Sequence, residues 1–198
     1  DEKGEVIDGD MILCALAVYF KKTGRLRGNA VVGTSHTNMA AEAHLKAHGI
    51  EMLRTDIGDK YVLAKLLEKG LSLGGEQSGH VILNDFATTG DGILTAIAVM
   101  NMLLSENITA SRGLKIELYP QKNVGVPVTD KFRVINSEEL GRQTAKCAAL
   151  LEGKGRLMIR ASGTEPKIRV MAESLDKELN RSIVSAIVST IEKINREE

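Results

Sequence analysis

The chain has no surplus of charge of either sign: 26 Lys and Arg stand against 26 Asp and Glu in 198 residues. A nonspecific nucleic-acid or anionic-membrane binder works through a one-signed field, so both classes are excluded as partners, and any anion bound here must be met by a local cluster of donors. Cysteine is scarce. Cys14 and Cys147 lie in apolar, helix-like stretches with no Cys or His at metal-ligand spacing, which excludes a disulfide scaffold and a zinc site. Both are expected as reduced, buried thiols. Long hydrophobic runs are missing too: Met11 to Phe20 is the longest, about half of a bilayer span. The opening Asp1-Glu2-Lys3-Gly4-Glu5 is unlike a signal peptide, so a cytoplasmic protein is expected. There is no Gly-rich Walker loop, no Gly-x-Ser-x-Gly elbow, no magnesium-spaced aspartate cluster and no internal repeat. The start without Met, inside a turn-like stretch, leads us to expect that the sequence begins within a longer natural chain.

What is present is an apolar fraction of 43%, ordinary for one large or two small globular domains. Asp8-Gly9-Asp10 supplies turn chemistry and a cap for a deeply buried helix over about 11–22. Residues 29–33 read as a strand, Thr34-Ser35-His36-Thr37 as a polar loop, 38–48 as a helix stopped by Gly49, and 50–54 as a second strand. Strand, helix and strand make a βαβ unit, and ligands favour the loops at the carboxyl ends of such strands, here 34–37 and 55–60. A helix over 59–68 follows, with Asp59 a candidate cap. A hairpin over 71–83 then exposes Glu76 at its tip, and Asp91 caps an apolar helix over 92–104. Residues 105–112 read as a linker and 114–119 fit either a strand or a short helix. Beyond them, a strand over 124–128, a helix over 137–151, strands over 155–161 and 167–173 and an amphipathic helix over 176–194 describe a small α+β domain. The fold class is therefore α/β followed by α+β, with domains at 1–108 and 109–198.

Two loops carry chemistry. In Arg160-Ala161-Ser162-Gly163-Thr164-Glu165-Pro166-Lys167-Ile168-Arg169, hydroxyls, close backbone N–H groups and two planar guanidinium forks suit a phosphate. A tight turn with solvated arginines explains the same spacing. Glu165 repels a phosphate and is expected to orient a neighbouring Arg or Lys. In Gly74-Gly75-Glu76-Gln77-Ser78-Gly79-His80, a carboxylate, an amide and a hydroxyl project from one loop, as a hexose ring requires; a plain polar hairpin tip is the alternative. His80 is expected to be structural. Gly58-Asp59-Lys60 starts a helix and could steady an anion through its amides and Lys60. His44 and His48 share a helix face at i, i+4 spacing, but with no third ligand they read as a solvated face. No nucleophile is evident, so the residues resemble half of an active site.

Together these loops resemble the α-phosphohexomutase superfamily, and within it the bacterial glucosamine branch. The resemblance spans essentially all 198 residues. It rests on residues 74–80, on Ala87-Thr88-Thr89-Gly90-Asp91-Gly92, on Tyr119-Pro120-Gln121 and Asn123-Val124, and on residues 160–166 followed by Arg169-Val170-Met171. It implies most of the third and all of the fourth of four domains set around a cleft. It also implies interconversion of glucosamine 6-phosphate and glucosamine 1-phosphate through a 1,6-bisphosphate, in a step toward cell-wall precursors. The phosphoserine and the Mg2+-binding aspartate loop would lie upstream of Asp1, so no catalytic residue and no metal ligand is assigned here, Asp1, Asp8 and Asp10 included.

Carried over, the resemblance makes Glu76 and Ser78 contacts to the sugar. Arg160, Ser162, Gly163, Thr164 and Arg169 become the grip on the phosphate not being transferred. Gly58, Asp59 and Lys60 become a possible substrate loop, with Lys60 where arginine is usual and bidentate geometry lost. Ser35 and His36 receive no role. The isolated chain is expected to bind a phosphorylated hexosamine without turnover, and self-association through a sheet edge left unpaired near Val6-Ile7 is open. Alternatives are a phosphomannomutase/phosphoglucomutase part or a stand-alone sugar-phosphate binding module.

Overall fold

In a computed structural model, which describes residues 1–196, Asp8 opens the first helix as its sequence context predicts. Its Oδ1 accepts from the Met11 N–H at 3.0 Å, satisfying one of the orphan donors of a helix start. The chain divides into two compact units, Asp1–Leu118 and Tyr119–Glu198.

In the first unit α1 (Gly9–Lys22), β1 (Ala30–Thr34), α2 (Met39–Ala47), β2 (Glu51–Thr55), α3 (Asp59–Lys69), β3 (Leu73–Gly75), β4 (Val81–Leu83), α4 (Gly92–Glu106) and α5 (Ala110–Gly113) follow in order. The sheet runs β2-β1-β3-β4. β1 pairs parallel to β2 from Ala30↔Glu51 to Thr34↔Thr55, and β3 pairs antiparallel to β4. All five residues of β1 are buried because helices cover both faces of the sheet. Val31 joins the core with Leu13, Leu16 and Leu45, while Val32 joins Val62, Leu66 and Ile82 under α3. Each such side chain contributes about 1.5–3 kcal/mol on burial.

Several expectations are corrected. Val6 and Ile7 belong to no strand, and the sheet edges are β2 and β4. Asp59 is not a cap: Gly58 (φ 129°) holds that position, and the Asp59 Oδ1 accepts from Lys60 N–H at 2.8 Å. Residues 105–112 are not a linker but the end of α4, a turn and most of α5, because Leu114 beyond them is buried in the first unit's core. Residues 115–120 form neither strand nor helix. Helix α4 packs on α1 through its inner face, but Ile93, Ile97, Met100 and Leu104 face outward, Ile93 at 77% and Leu104 at 80% exposure.

The second unit contains β5 (Gln121–Pro127), α6 (Lys131–Ile135), α7 (Glu138–Leu151), β6 (Gly155–Ala161), β7 (Lys167–Ser174) and α8 (Lys177–Arg196). Its antiparallel sheet runs β5-β7-β6. Pro127 is tolerated because it ends an edge strand. Alternate residues Val126, Ile168 and Val170 pack with Leu140, Ile183, Ile187 and Ile191 of α7 and α8. The short α6 escapes the sequence reading. It is capped by Asp130, whose carboxylate accepts from Phe132 and Arg133 N–H.

Candidate functional site

Three chain reversals in the first unit meet at the carboxyl ends of β1, β2 and β3, the end of a parallel sheet where ligands collect. They line a cleft of about 250 Å³ with Thr34, His36, Ile57, Glu76, Gln77 and Ser78. Glu76 is half-buried rather than displayed at a tip, and its Oε1 accepts from Gly58 N–H at 2.9 Å. That bond ties two predicted loops together and leaves Oε2 without a hydrogen bond among the described residues. Ser78 is exposed. Asp59 and Lys60 do not line this cleft; the Lys60 ammonium lies 4.7 Å from the centre of the Tyr61 ring.

Gly9 anchors the loop. Its N–H donates to Gln77 O at 3.0 Å, and a Cβ placed on it would lie 2.0 Å from Glu76 O. Only glycine lets the first turn of α1 reach the 76–79 backbone. Gly90 plays a similar part, since a Cβ there would lie 2.6 Å from the His80 ring. Thr34 and His36 line the cleft from the loop that the sequence places after the first strand without giving it a role, whereas Gly9 reads in sequence only as part of a helix-start turn and reaches the 76–79 loop through tertiary packing.

In the second unit the turn between β6 and β7 closes through Ser162 N–H, which donates to Lys167 O at 2.8 Å. Ser162 is buried, and its Oγ accepts from Glu165 N–H at 3.3 Å, so the hydroxyl proton remains to donate. Arg160 and Arg169 are partners in the β6–β7 register; like charges placed directly opposite oppose pairing. Arg160 Nε is buried without a hydrogen-bond partner among the described residues. Burial, then the charge of Arg169, lowers the Arg160 pKa below the usual guanidinium range. Both effects are relieved by an anion.

Glu165 performs its expected duty: it bonds Lys167 Nζ at 2.7 Å and Arg169 at 2.5 Å. The hydrogen bond from Lys167, with the charges of Lys167 and Arg169, holds its carboxyl below the usual range. Lys131, unforeseen in the sequence, donates to Ser162 O at 2.8 Å. The turn thus carries four cations, of which Lys167 and Arg169 bond Glu165 and Lys131 bonds the Ser162 carbonyl, while Arg160 Nε is left without a partner among the described residues. Gly163 and Thr164 are exposed at its crest. Gly163 has no left-handed φ, and a Cβ on it would meet nothing within 4 Å.

The cysteines add no chemistry. Cys14 is buried, and burial pushes its pKa up to about 12, far from a reactive thiolate. Among the described residues no three His, Cys, Asp or Glu side chains group as a metal site. Asp8 and Asp10 are engaged with the Met11 and Asn38 amides.

The family model of the phosphoglucomutase/phosphomannomutase alpha/beta/alpha domain III matches residues 8–119, and that of the C-terminal domain matches residues 124–190. The chain belongs to the phosphoglucomutase/phosphomannomutase family. Among curated relatives, the phosphoglucosamine mutase of Carboxydothermus hydrogenoformans is 43% identical over 195 residues, covering 98% of this chain and 44% of the relative. That of Phenylobacterium zucineum is 42% identical, covering 98% and 43%. The chain therefore spans less than half the length of the curated relatives it matches.

Solved family members share the fold. The Aspergillus fumigatus N-acetylphosphoglucosamine mutase in complex with GlcNAc-6P and magnesium superposes with a TM-score of 0.77 at 19% identity, covering 94% of this chain and 47% of that one. A serine-to-alanine form of the same fungal enzyme was solved with glucose 1,6-bisphosphate, at TM-score 0.79 and 18% identity, covering 96% of this chain and 44% of that one.

Proposed function

We propose that this chain is the sugar- and phosphate-recognising part of a phosphoglucosamine mutase, which interconverts glucosamine 6-phosphate and glucosamine 1-phosphate through glucosamine 1,6-bisphosphate. The first unit reads the sugar. Glu76 and Ser78 accept from and donate to ring hydroxyls, and the Glu76 carboxylate favours the ammonium of an amino sugar over a neutral hexose. Gly58, held by Glu76, keeps that carboxylate aimed, whereas Asp59 and Lys60 contribute from outside the cleft. The second unit reads the phosphate that is not transferred. Arg160 and Arg169 supply charge, Ser162 and Thr164 supply hydroxyl donors, and Gly163 admits the anion to the backbone.

The observation that carries this reading is the buried, unpartnered Nε of Arg160 directly across the hairpin from Arg169. A structural turn gains nothing from that arrangement, and a dianion offsets it. Among the described residues no three His, Cys, Asp or Glu side chains come together as a metal site. On the family resemblance, and because this chain covers less than half of its relatives, phosphoryl transfer with its serine and metal is assigned to the remainder of the enzyme, and binding and orientation to this chain.

Calorimetric titration of the 198-residue protein with glucosamine 6-phosphate tests the reading. Binding without mutase turnover is expected, with affinity falling roughly tenfold or more in Arg160→Ala and in Ser162→Ala, each of which removes a charged or polar donor from a phosphate oxygen. Unchanged affinity in both variants sinks the phosphate grip. Equal affinity for mannose 6-phosphate sinks the amino-sugar preference.

A further inference from the structure

The first unit holds another cavity, of about 280 Å³, which shares no lining residue with the cleft beside Glu76. It lies over α1 and α2 and under the chain that follows α4. Its inner wall is apolar, made by Val18, Met102, Leu114 and Ile116, with Met102 and Leu114 part of the main core. Its rim is cationic: Lys22, Arg112 and Lys115 stand beside His44 and His48 against one carboxylate, Glu106.

These charges are not equivalent. Glu106 is already neutralised by Lys22 at 2.5 Å, and Lys115 is ion-paired with Glu5. The Arg112 guanidinium makes no hydrogen bond or ion pair among the described residues. The imidazoles of His44 and His48 lie tilted at 40° to each other with centroids 4.5 Å apart, and His48 Nδ1 donates to His44 O at 2.9 Å, which leaves the His48 Nε2 for another partner. An apolar pocket with a few converging polar groups is the usual form of a small-molecule site.

We infer that this cavity binds a small monoanion with an apolar body, of the aryl carboxylate class, its charge met by Arg112 and its rings set against Val18, Met102 and Leu114. A sugar phosphate is excluded by the same wall. Each hydroxyl pressed against those side chains loses water without a replacement partner, at about 1–3 kcal/mol. The volume, just below the roughly 300–1,000 Å³ found for ligand pockets, limits the occupant to about a bicyclic ring.

The test is titration of the intact 198-residue protein with naphthoate, followed by the ring signals of His44 and His48 and the methyl signals of Met102 and Leu114. Saturable shifts confined to these groups are expected. Arg112→Ala, an exposed substitution that leaves the fold intact, weakens binding about tenfold, as loss of a charge-assisted hydrogen bond requires. The neutral naphthamide binds correspondingly more weakly, and glucosamine 6-phosphate leaves these signals unmoved. No saturable shift up to about 10 mM, or naphthamide and the Arg112→Ala variant both matching the wild-type affinity for naphthoate, overturns the site.

Discussion

Gly9 and Gly163 are glycines for opposite reasons. At Gly9 the space is taken, since a Cβ would strike the Glu76 carbonyl and the Gly79 amide. At Gly163 the space is open, so only the proposed phosphate grip gives the missing side chain a use. Gly9→Ala is therefore expected to destabilise the first unit by about 3 kcal/mol, at the upper end of overpacking costs. Gly163→Ala is expected to fold at least as stably as the parent while losing sugar-phosphate affinity. Chemical denaturation and calorimetric titration of the two variants check both statements; equal stability of the Gly9 variant or equal affinity of the Gly163 variant refutes the corresponding one.

His44 adds a pH dependence. Burial, reinforced by His48, holds its pKa below the ordinary 6.5. Between its folded value and 6.5 the unfolded chain binds more protons than the folded one. Stability therefore falls as pH drops through that window and levels off below it. The thermal midpoint measured from about pH 8 to pH 5 should show that slope, and His44→Gln should flatten it.

At the scale of elements, the β6–β7 hairpin sets binding against stability. Arg160 and Arg169 share a register row, and Glu165 compensates only the second of them, through its bond to Arg169. Arg160→Leu removes both the like-charge pair and the orphaned Nε. We expect it to raise the stability of the second unit by about 0.5–1 kcal/mol, the scale of a cross-strand pair, while weakening phosphate binding about tenfold or more, as for Arg160→Ala. A lowered denaturation midpoint contradicts this account.

Other elements were legible because their signals are local. Asp8, Asn38 and Asp91 cap helices through bonds to amides two or three residues away. The 160–169 turn was legible for the same reason, as one contiguous run between two strands. Asp59 misled because an acidic residue at a first helical position looks like a cap in sequence, and only the φ of Gly58 distinguishes them. The short α6 escaped notice because five residues show no periodicity.

For the whole molecule, two compact units with no shared core cluster imply separable responses. Inorganic phosphate should protect backbone amides in 155–174 from hydrogen exchange and leave those in 30–34 and 51–55 unchanged, because a ligand stabilises the unit that holds it. Uniform protection of both units rejects this. The parts of the site that stayed hidden in the sequence belong to this scale. Lys131 meets Ser162 across 31 positions, and Gly9 meets Gln77 across 68. No spacing rule covers such distances; only the folded sheet order brings them together.

The outward row of α4 affects how the protein behaves in bulk. Ile93, Ile97, Met100 and Leu104 form a greasy strip on a molecule whose formal charges sum to zero, so no colloidal repulsion holds two strips apart. Concentrated solutions will cloud, sooner in ammonium sulfate than in sodium chloride, since excluded kosmotropes strengthen apolar adhesion, and Ile97→Lys will keep them clear.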